Sequence, residues 1–372
     1  MMISLNHKKI RNILDNVTSG SRMTESEAVY LLNTTNYRDV CDILMAADSK
    51  RHEVVGDDVT YVRNMNVHLT NICKNRCGLC AFGRSPTDSD AYCLSEQEIR
   101  DATRKARDKH VTEICYLSGI NPEFTIDTYE NIIRIFHEEL PGIHVHGCSP
   151  DEIEYMSSRN HMSTKQVLFR LKEAGLGSVQ GTAAEILVDS IRNVICKNKI
   201  STDQWVNIIR EAYEVGFKAS STIMYGSIES SIERVKHLSI LRDLQDETNV
   251  FTELVPLSFL HRNTPLEFQG LVTHGPTARE DLLLIAVSRL FLDNIVNIQV
   301  PWSKIGHKLT QIGLMSGGND VGGTMYVDML SVSAGANSCE SNYFDPIDMQ
   351  NMCTDIGRSL KCRDTLYNIL DN

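Results

Sequence analysis

After residue 60 the sequence settles into a rhythm. A short run rich in β-branched and aromatic residues is followed by a longer stretch with helical spacing, and then by another short run. The short runs fall at 60–70, 111–119, 142–147, 176–182, 217–226, 250–259 and 294–302. The stretches between them carry helix punctuation. In "LSEQEIRDATRKARDKH", Ser95 stands as an N-cap with Glu98 three residues on, the capping-box pattern. "STDQWVNIIREAYEVG" starts at Ser201 or Thr202 and ends on Gly216, as N-cap and C-cap chemistry require. Strands that alternate with helices pair in parallel, because each helix returns the chain to the same end of the sheet. Seven such units, with an eighth near "IGLMSGGND", predict an α/β fold of the TIM-type (β/α) barrel kind. A doubly wound sheet is the competing arrangement, but no G-x-G-x-x-G follows the first run.

The flanks read differently. Residues 1–52 have apolar side chains at helical spacing and are expected to form a helical N-terminal extension. Residues 53–302 are expected to form the barrel, and 303–372 to complete and cover it, ending in a helix over "QNMCTDIGRSLKCRDTLYNIL". The 372-residue chain carries a net charge of −11 and no basic block. Duplex nucleic acid is therefore excluded as an expected partner, since that binding depends on Lys and Arg neutralising phosphates. "MMISLNHKKIRNILDNV" has no apolar run long enough for a signal peptide or membrane span, so the expected compartment is the cytoplasm. Thiols stay reduced there, and eleven cysteines point to metal binding or catalysis rather than to a disulfide framework.

Three of those cysteines are concentrated in "CKNRCGLC": Cys73, Cys77 and Cys80, directly after the first strand run. In a barrel this is the C-terminal, active-site face. A structural zinc site requires four ligands, and the next cysteine, Cys93, is thirteen residues away. A redox C-x-x-C pair, or three thiols simply buried together, are the other readings. A 4Fe–4S cluster accounts for three thiolates on one loop with one iron left open, and Gly78 relieves crowding around it.

The C-x3-C-x2-C spacing after a first barrel strand resembles the radical S-adenosylmethionine (SAM) superfamily. In that superfamily the open iron is chelated by SAM. Longer stretches, "HVHGCSPDEI", "GTAAEIL" with "ICKNKIST", "FTELVPLSFLHRNTPL" and "SGGNDVGGTM", are similar to the group containing the second subunit of FO synthase, aminofutalosine synthase and dehypoxanthine futalosine cyclase. The resemblance runs from about residue 60 to the end of the chain. It implies a 4Fe–4S cluster on Cys73, Cys77 and Cys80, and SAM contacts from Phe82, Gly119, Asn121 and Glu185. It also implies the joining of tyrosine's 4-hydroxybenzyl group to 5-amino-6-(D-ribitylamino)uracil in deazaflavin formation. FO synthase subunit 1 and a ferredoxin or flavodoxin electron donor are the partners it implies.

The chain departs from the family pattern at Leu79, where an aromatic residue is usual, at Leu117-Ser118 and at Val327-Asp328-Met329. These departures keep open a related radical SAM enzyme with another substrate. An iron–sulfur redox protein that does not use SAM is the reading from a different class.

Further candidates come from position. His144 and His146 share one face of the third run, by period-two alternation, and would relay a proton or bind a carboxylate; satisfied core histidines are the alternative. Tyr225 and Glu253 lie on the fifth and sixth runs, Tyr225 as a candidate hydrogen-bond donor to substrate and Glu253 as a substrate contact. Asn319 and Asp320, near the predicted last strand, are expected to reach substrate.

Overall fold

The computed structural model describes residues 2–325, 328–336 and 343–370. Among the described residues there are ten strands: β1 (Asp58–Val62), β2 (Asn64–Thr70), β3 (Glu113–Ser118), β4 (His144–Gly147), β5 (Ser178–Val179), β6 (Ala219–Tyr225), β7 (Phe251–Ser258), β8 (Asn297–Ile298), β9 (Asp320–Gly323) and β10 (Ser359–Arg363). Strands β2 to β8 form one seven-stranded parallel sheet in sequence order, as successive right-handed β/α units require. The helices that return the chain begin as expected. Ser95 and Ser201 cap theirs in capping boxes, and Gly216 ends the second in the left-handed conformation.

The barrel closes in a way the sequence rhythm does not reveal. The run 60–70 is two strands, not one. It breaks at Arg63, and β1 belongs to a second sheet ordered β10-β1-β9. Strand β9 spans the gap: Val300 N–H donates to Asp320 O, Asn319 N–H to Ile298 O and Thr324 N–H to Val62 O. The expected eighth unit therefore closes the ring through β1, rather than by joining β8 in a regular ladder. The C-terminal helix also stops earlier than expected. Helix Pro346–Asp355 ends before Gly357, whose φ of +73° redirects the chain, and Ser359–Arg363 pairs with β1 in parallel as β10.

Helices Met2–Thr18, Glu25–Leu32 and Tyr37–Val55 precede β1. Their apolar faces, with Ile10, Leu31 and Ile43, join the same hydrophobic core as the barrel. Arg22 fixes the join by contacting Asp246 and Asp293 at 2.7 and 2.9 Å. Among the described residues no helix is long and apolar enough to cross a membrane.

Candidate functional site

Period-two alternation decides what enters the barrel. On β3, Glu113, Cys115 and Leu117 face a cavity of about 380 Å³; on β6, Ser220, Thr222 and Met224 do; and on β7, Glu253, Val255 and Leu257. The cavity extends from the first residues of the strands to the loop after β2 that carries Cys73, Cys77 and Cys80.

That loop is held by its backbone. Cys73 N–H donates to Arg84 O and Lys74 N–H to Ile120 O, both at 3.0 Å, and Leu266 N–H donates to Gly78 O at 2.9 Å. Arg84 Nη1 donates to the carbonyls of Ala81, Phe82 and Gly83 at 2.9, 3.1 and 3.3 Å, gathering the C-terminal half of the loop around one guanidinium. Gly119 must be glycine, because a Cβ there would stand 2.3 Å from Ile72 O and 3.0 Å from Cys73 Cβ. Burial pushes the thiols of Cys77 and Cys80 upward from their ordinary value.

The spread of the sulfurs tests what they can hold. Among the described residues the only trio of His, Cys or carboxylate ligand atoms all within 4.8 Å of one another is His7, Asp39 and Asp42. Thiolates around a single zinc stand about 3.8 Å apart, given Zn–S bonds of about 2.3 Å in a tetrahedron. The sulfurs of Cys73, Cys77 and Cys80 do not all lie within 4.8 Å of one another, a spread that suits a multi-iron cluster better than one ion. Cys93 is not part of the group. It is exposed, bridges to Thr70 in an antiparallel β-bridge and does not line the cavity.

Beside the cysteine loop, where Asn198 Nδ2 donates to Asn75 O at 2.8 Å, the segment after β5 is strained and braced. Ala183 and Glu185 have φ of +60° and +47°, left-handed values that cost non-glycine residues energy. The buried Arg192 guanidinium holds this segment through the carbonyls of Ala183, Ala184 and Ile200. His237, which burial pushes down to about 3, accepts from Leu187 N–H at 2.9 Å. The result presents Glu185 to the cavity, paired with Lys199 Nζ at 2.5 Å. Burial alone would lower the Lys199 ammonium, but Glu185, Cys77 and Asp151 hold it charged. Asp151 ties the two loops together, accepting from Asn75 Nδ2 at 2.5 Å and Ile200 N–H at 3.1 Å.

The other sequence candidates divide. Phe82 lines the cavity, its ring 5.7 Å from His68 and 6.2 Å from Tyr92. His146 lines it too, accepting or donating at Ser178 Oγ (2.7 Å), and burial pushes it down to about 4, so the ring is neutral. His144 bonds the same Ser178 Oγ at 2.8 Å but lies one layer lower and does not reach the cavity. Glu253 faces the cavity, and Tyr367 Oη donates to its Oε2 at 2.7 Å.

Four candidates point elsewhere. Tyr225 has the opposite parity from Met224 and donates to Asp281 outside the barrel at 2.7 Å. Asn121 is consumed by its own turn, its Oδ1 accepting from Glu123 N–H at 3.0 Å. Asn319 Oδ1 accepts from Arg289 Nη2 and Ile298 N–H, at 2.7 and 2.9 Å, stitching β8 to β9. Asp320 is fully buried as the counterion of Arg363, with Nε–Oδ2 2.6 Å and Nη2–Oδ1 3.0 Å. Of the family departures, Leu79, Leu117, Ser118 and Asp328 line the cavity, Met329 is 40% exposed, and Val327 lies outside the described residues.

Sequence reasoning missed Glu113, Ser178, Lys199 and Arg363. Parity with Cys115 was the available signal for Glu113. Arg363 had none, because only the β10–β1 pairing brings it to the barrel.

Comparison with known proteins gives the following. Residues 67–240 match the radical SAM superfamily and residues 248–372 the CofH/MqnC C-terminal region. A 5-amino-6-(D-ribitylamino)uracil–L-tyrosine 4-hydroxyphenyl transferase from Methanosphaerula palustris is 49% identical over 99% of this chain and 100% of its own. Those from Methanoculleus marisnigri and Methanothermobacter thermautotrophicus are 48% and 41% identical, over 97% and 94% of this chain and 98% and 95% of their own. Among solved structures, methylornithine synthase (PylB) superposes with a TM-score of 0.72 at 19% identity, covering 94% of this chain and 97% of that one. The [FeFe]-hydrogenase maturase HydG gives 0.74 at 14% identity, covering 95% and 76%. Both share the barrel.

Proposed function

The chain belongs to the radical SAM superfamily and, within it, to the 5-amino-6-(D-ribitylamino)uracil–L-tyrosine 4-hydroxyphenyl transferases, and on that premise we propose a division of labour in its cavity. Cys73, Cys77 and Cys80 would hold three irons of a 4Fe–4S cluster, leaving the fourth for the amino and carboxylate groups of SAM. When bound and reduced, this pair supplies a 5′-deoxyadenosyl radical that removes a hydrogen atom from the substrate.

The chain's own residues do the rest. Glu185 offers an acceptor for a SAM hydroxyl or amino group, and the ion pair with Lys199 fixes that carboxylate in place. Phe82, packed on His68 and Tyr92, closes the wall beside the cysteines and keeps water from the reacting centre. Neutral His146, linked to Ser178, offers the substrate a hydrogen-bond partner on the cavity wall. The reading is completed by a ferredoxin or flavodoxin as reductant, the ring-closing FO synthase subunit 1 as recipient of the product, and a cytoplasmic setting. Residues 1–52 then serve as the helical extension, 53–302 as the body of the barrel, and 303–372 as the part that completes and covers it, β9 closing the ring through β1.

The observation that carries this reading is the trio of cysteines opening, beside a braced Glu185–Lys199 pair, on one cavity. The test is anaerobic reconstitution with SAM, dithionite, tyrosine and the ribitylaminouracil, with mass analysis of the products. Adduct and 5′-deoxyadenosine should appear together. Deoxyadenosine without adduct would reject the substrates. Cys73→Ala, Cys77→Ala and Cys80→Ala should each abolish both products and lower bound iron, by removing a ligand.

A further inference from the structure

TIM barrels usually fill the lower interior with layers of Val, Ile and Leu. This one does not. Its cavity reaches the lower parts of the strands, and the lining of the floor there is polar: Asn64, Glu113 and Ser178, the first residues of β2, β3 and β5, with His146, Glu253 and Gln299. We propose that this floor is the socket for the ribityl chain of the aminouracil, with Glu113 and Glu253 as its principal hydroxyl ligands. The inference rests on the transferase reading and assigns one end of that substrate.

Two carboxylate oxygens are left open. Glu113 is 5% exposed; its Oε1 accepts from Asn64 Nδ2 at 3.3 Å, and Oε2 has no partner among the described residues. Every contact to the Glu253 carboxylate falls on Oε2: Tyr367 Oη at 2.7 Å, Gln299 Nε2 at 3.2 Å and Arg363 Nη2 at 3.7 Å. Its Oε1 is free among the described residues. Both side chains line the cavity, so these two oxygens keep acceptor capacity for the donors of a ligand seated there.

The ligand chemistry follows from position and charge. The tyrosine bond that breaks, Cα–Cβ, has to lie near the cysteine loop. That loop meets Gly119, six residues along β3 from Glu113, which is about 20 Å at ~3.3 Å per residue. The floor is therefore remote from tyrosine's reacting end. Burial pushes Glu253 up to about 7, so it both donates and accepts near neutrality, as a hydroxyl partner should. His146 and Ser178 add neutral groups of the same dual kind. A chain of hydroxyls matches this lining, and with it seated below, the pyrimidine ring points up toward the cysteine loop.

The test is calorimetric binding to the reconstituted enzyme of the ribitylaminouracil, of an analogue with methylamino in place of ribitylamino, and of tyrosine. Wild type should prefer the ribityl compound by about 10- to 100-fold, the range for one or two hydrogen bonds to charged groups. Glu113→Gln and Glu253→Gln should each lose roughly tenfold on the ribityl compound and under about twofold on the analogue and on tyrosine. Equal losses on both pyrimidines, no ribityl preference in wild type, or a loss concentrated on tyrosine would each overturn the socket. If Glu253→Gln does not fold, Glu113→Gln decides alone, since its side chain bonds only Asn64 among the described residues. The two readings fail differently. Ribityl discrimination through the floor without adduct formation leaves the socket standing and rejects the reaction, whereas a wild type that binds neither pyrimidine rejects both.

Discussion

At the mouth of the barrel the proposed ligands of the cluster come from eight consecutive residues, Cys73 to Cys80, held by backbone hydrogen bonds of their own loop and its neighbours. At the floor the polar groups arrive one per strand, from β2, β3, β5 and β7, and are braced by Arg363 and Tyr367 from the far end of the sequence. The mouth is a local construction and the floor a topological one. A local site is sensitive to backbone crowding within a few residues. A topological site is sensitive to the ion pairs that hold distant segments together.

The largest expected effect tests the first half of that contrast. Gly119→Ala would drive a Cβ into backbone, 2.3 Å from Ile72 O, so the cysteine loop itself has to move. We expect bound iron and 5′-deoxyadenosine release to fall by at least about tenfold, as a forced displacement costing ~1–3 kcal/mol or more implies. Gly177→Ala, at the floor, would meet only the His144 ring, at 2.7 Å, a side chain that can turn aside. Its iron content should stay at the wild-type level. Equal iron loss in both variants would erase the distinction.

The second effect tests what holds the floor. Arg363 is 2% exposed and pairs with Asp320, which is fully buried and also accepts from Thr60 Oγ1 at 2.5 Å and Gly322 N–H at 2.6 Å. Arg363→Met leaves that carboxylate buried without its cation, a change that costs about 3–5 kcal/mol. A drop in Tm of roughly 4–6 °C should follow for a chain of 372 residues, measured anaerobically by thermal unfolding. Adding Asp320→Asn should recover part of it, because the uncompensated charge is gone. A drop of under about 2 °C in the single variant would show that the far segment is not what braces the floor.

The same contrast explains which parts were readable in the chain. The barrel is legible because hydrophobic periodicity is a local property repeated seven times, and the cysteine loop because its spacing is local too. The break at Arg63 is not legible: "TYVRNMNVHLT" has continuous β propensity, and only the arrival of β9 and β10 draws its first half into another sheet. Strand β10 reads as helix because nothing nearby announces its partner. Tyr225 illustrates a finer limit. Its strand was evident but its facing was not, and a one-residue difference in parity sends it to Asp281 instead of the cavity. Asn319 and Asp320 are polar residues at a strand end, which suggests substrate. They are consumed instead by Arg289 and Arg363, partners 30 and 43 residues away.

The smallest effect concerns the proton on Glu253, and its sign can be worked out. Burial raises this carboxyl from its ordinary value to about 7, while Arg363 works in the opposite direction. In the unfolded chain it titrates near 4.3. Between about pH 4.5 and 7 the folded protein therefore keeps a proton that the unfolded chain has released. Stability from this group is fully present below that window and is lost as the pH rises through it, levelling off above about 7. Glu253→Gln cannot ionise, so its stability lacks this slope. The difference in unfolding free energy between wild type and Glu253→Gln, measured by denaturant titration, should shift by about 1–3 kcal/mol against the wild type from pH 5 to 7.5. Any mouth variant should run parallel to wild type over that range. A difference that does not change with pH would mean that Glu253 is ionised throughout, in which case the floor would present two full negative charges to whatever binds there.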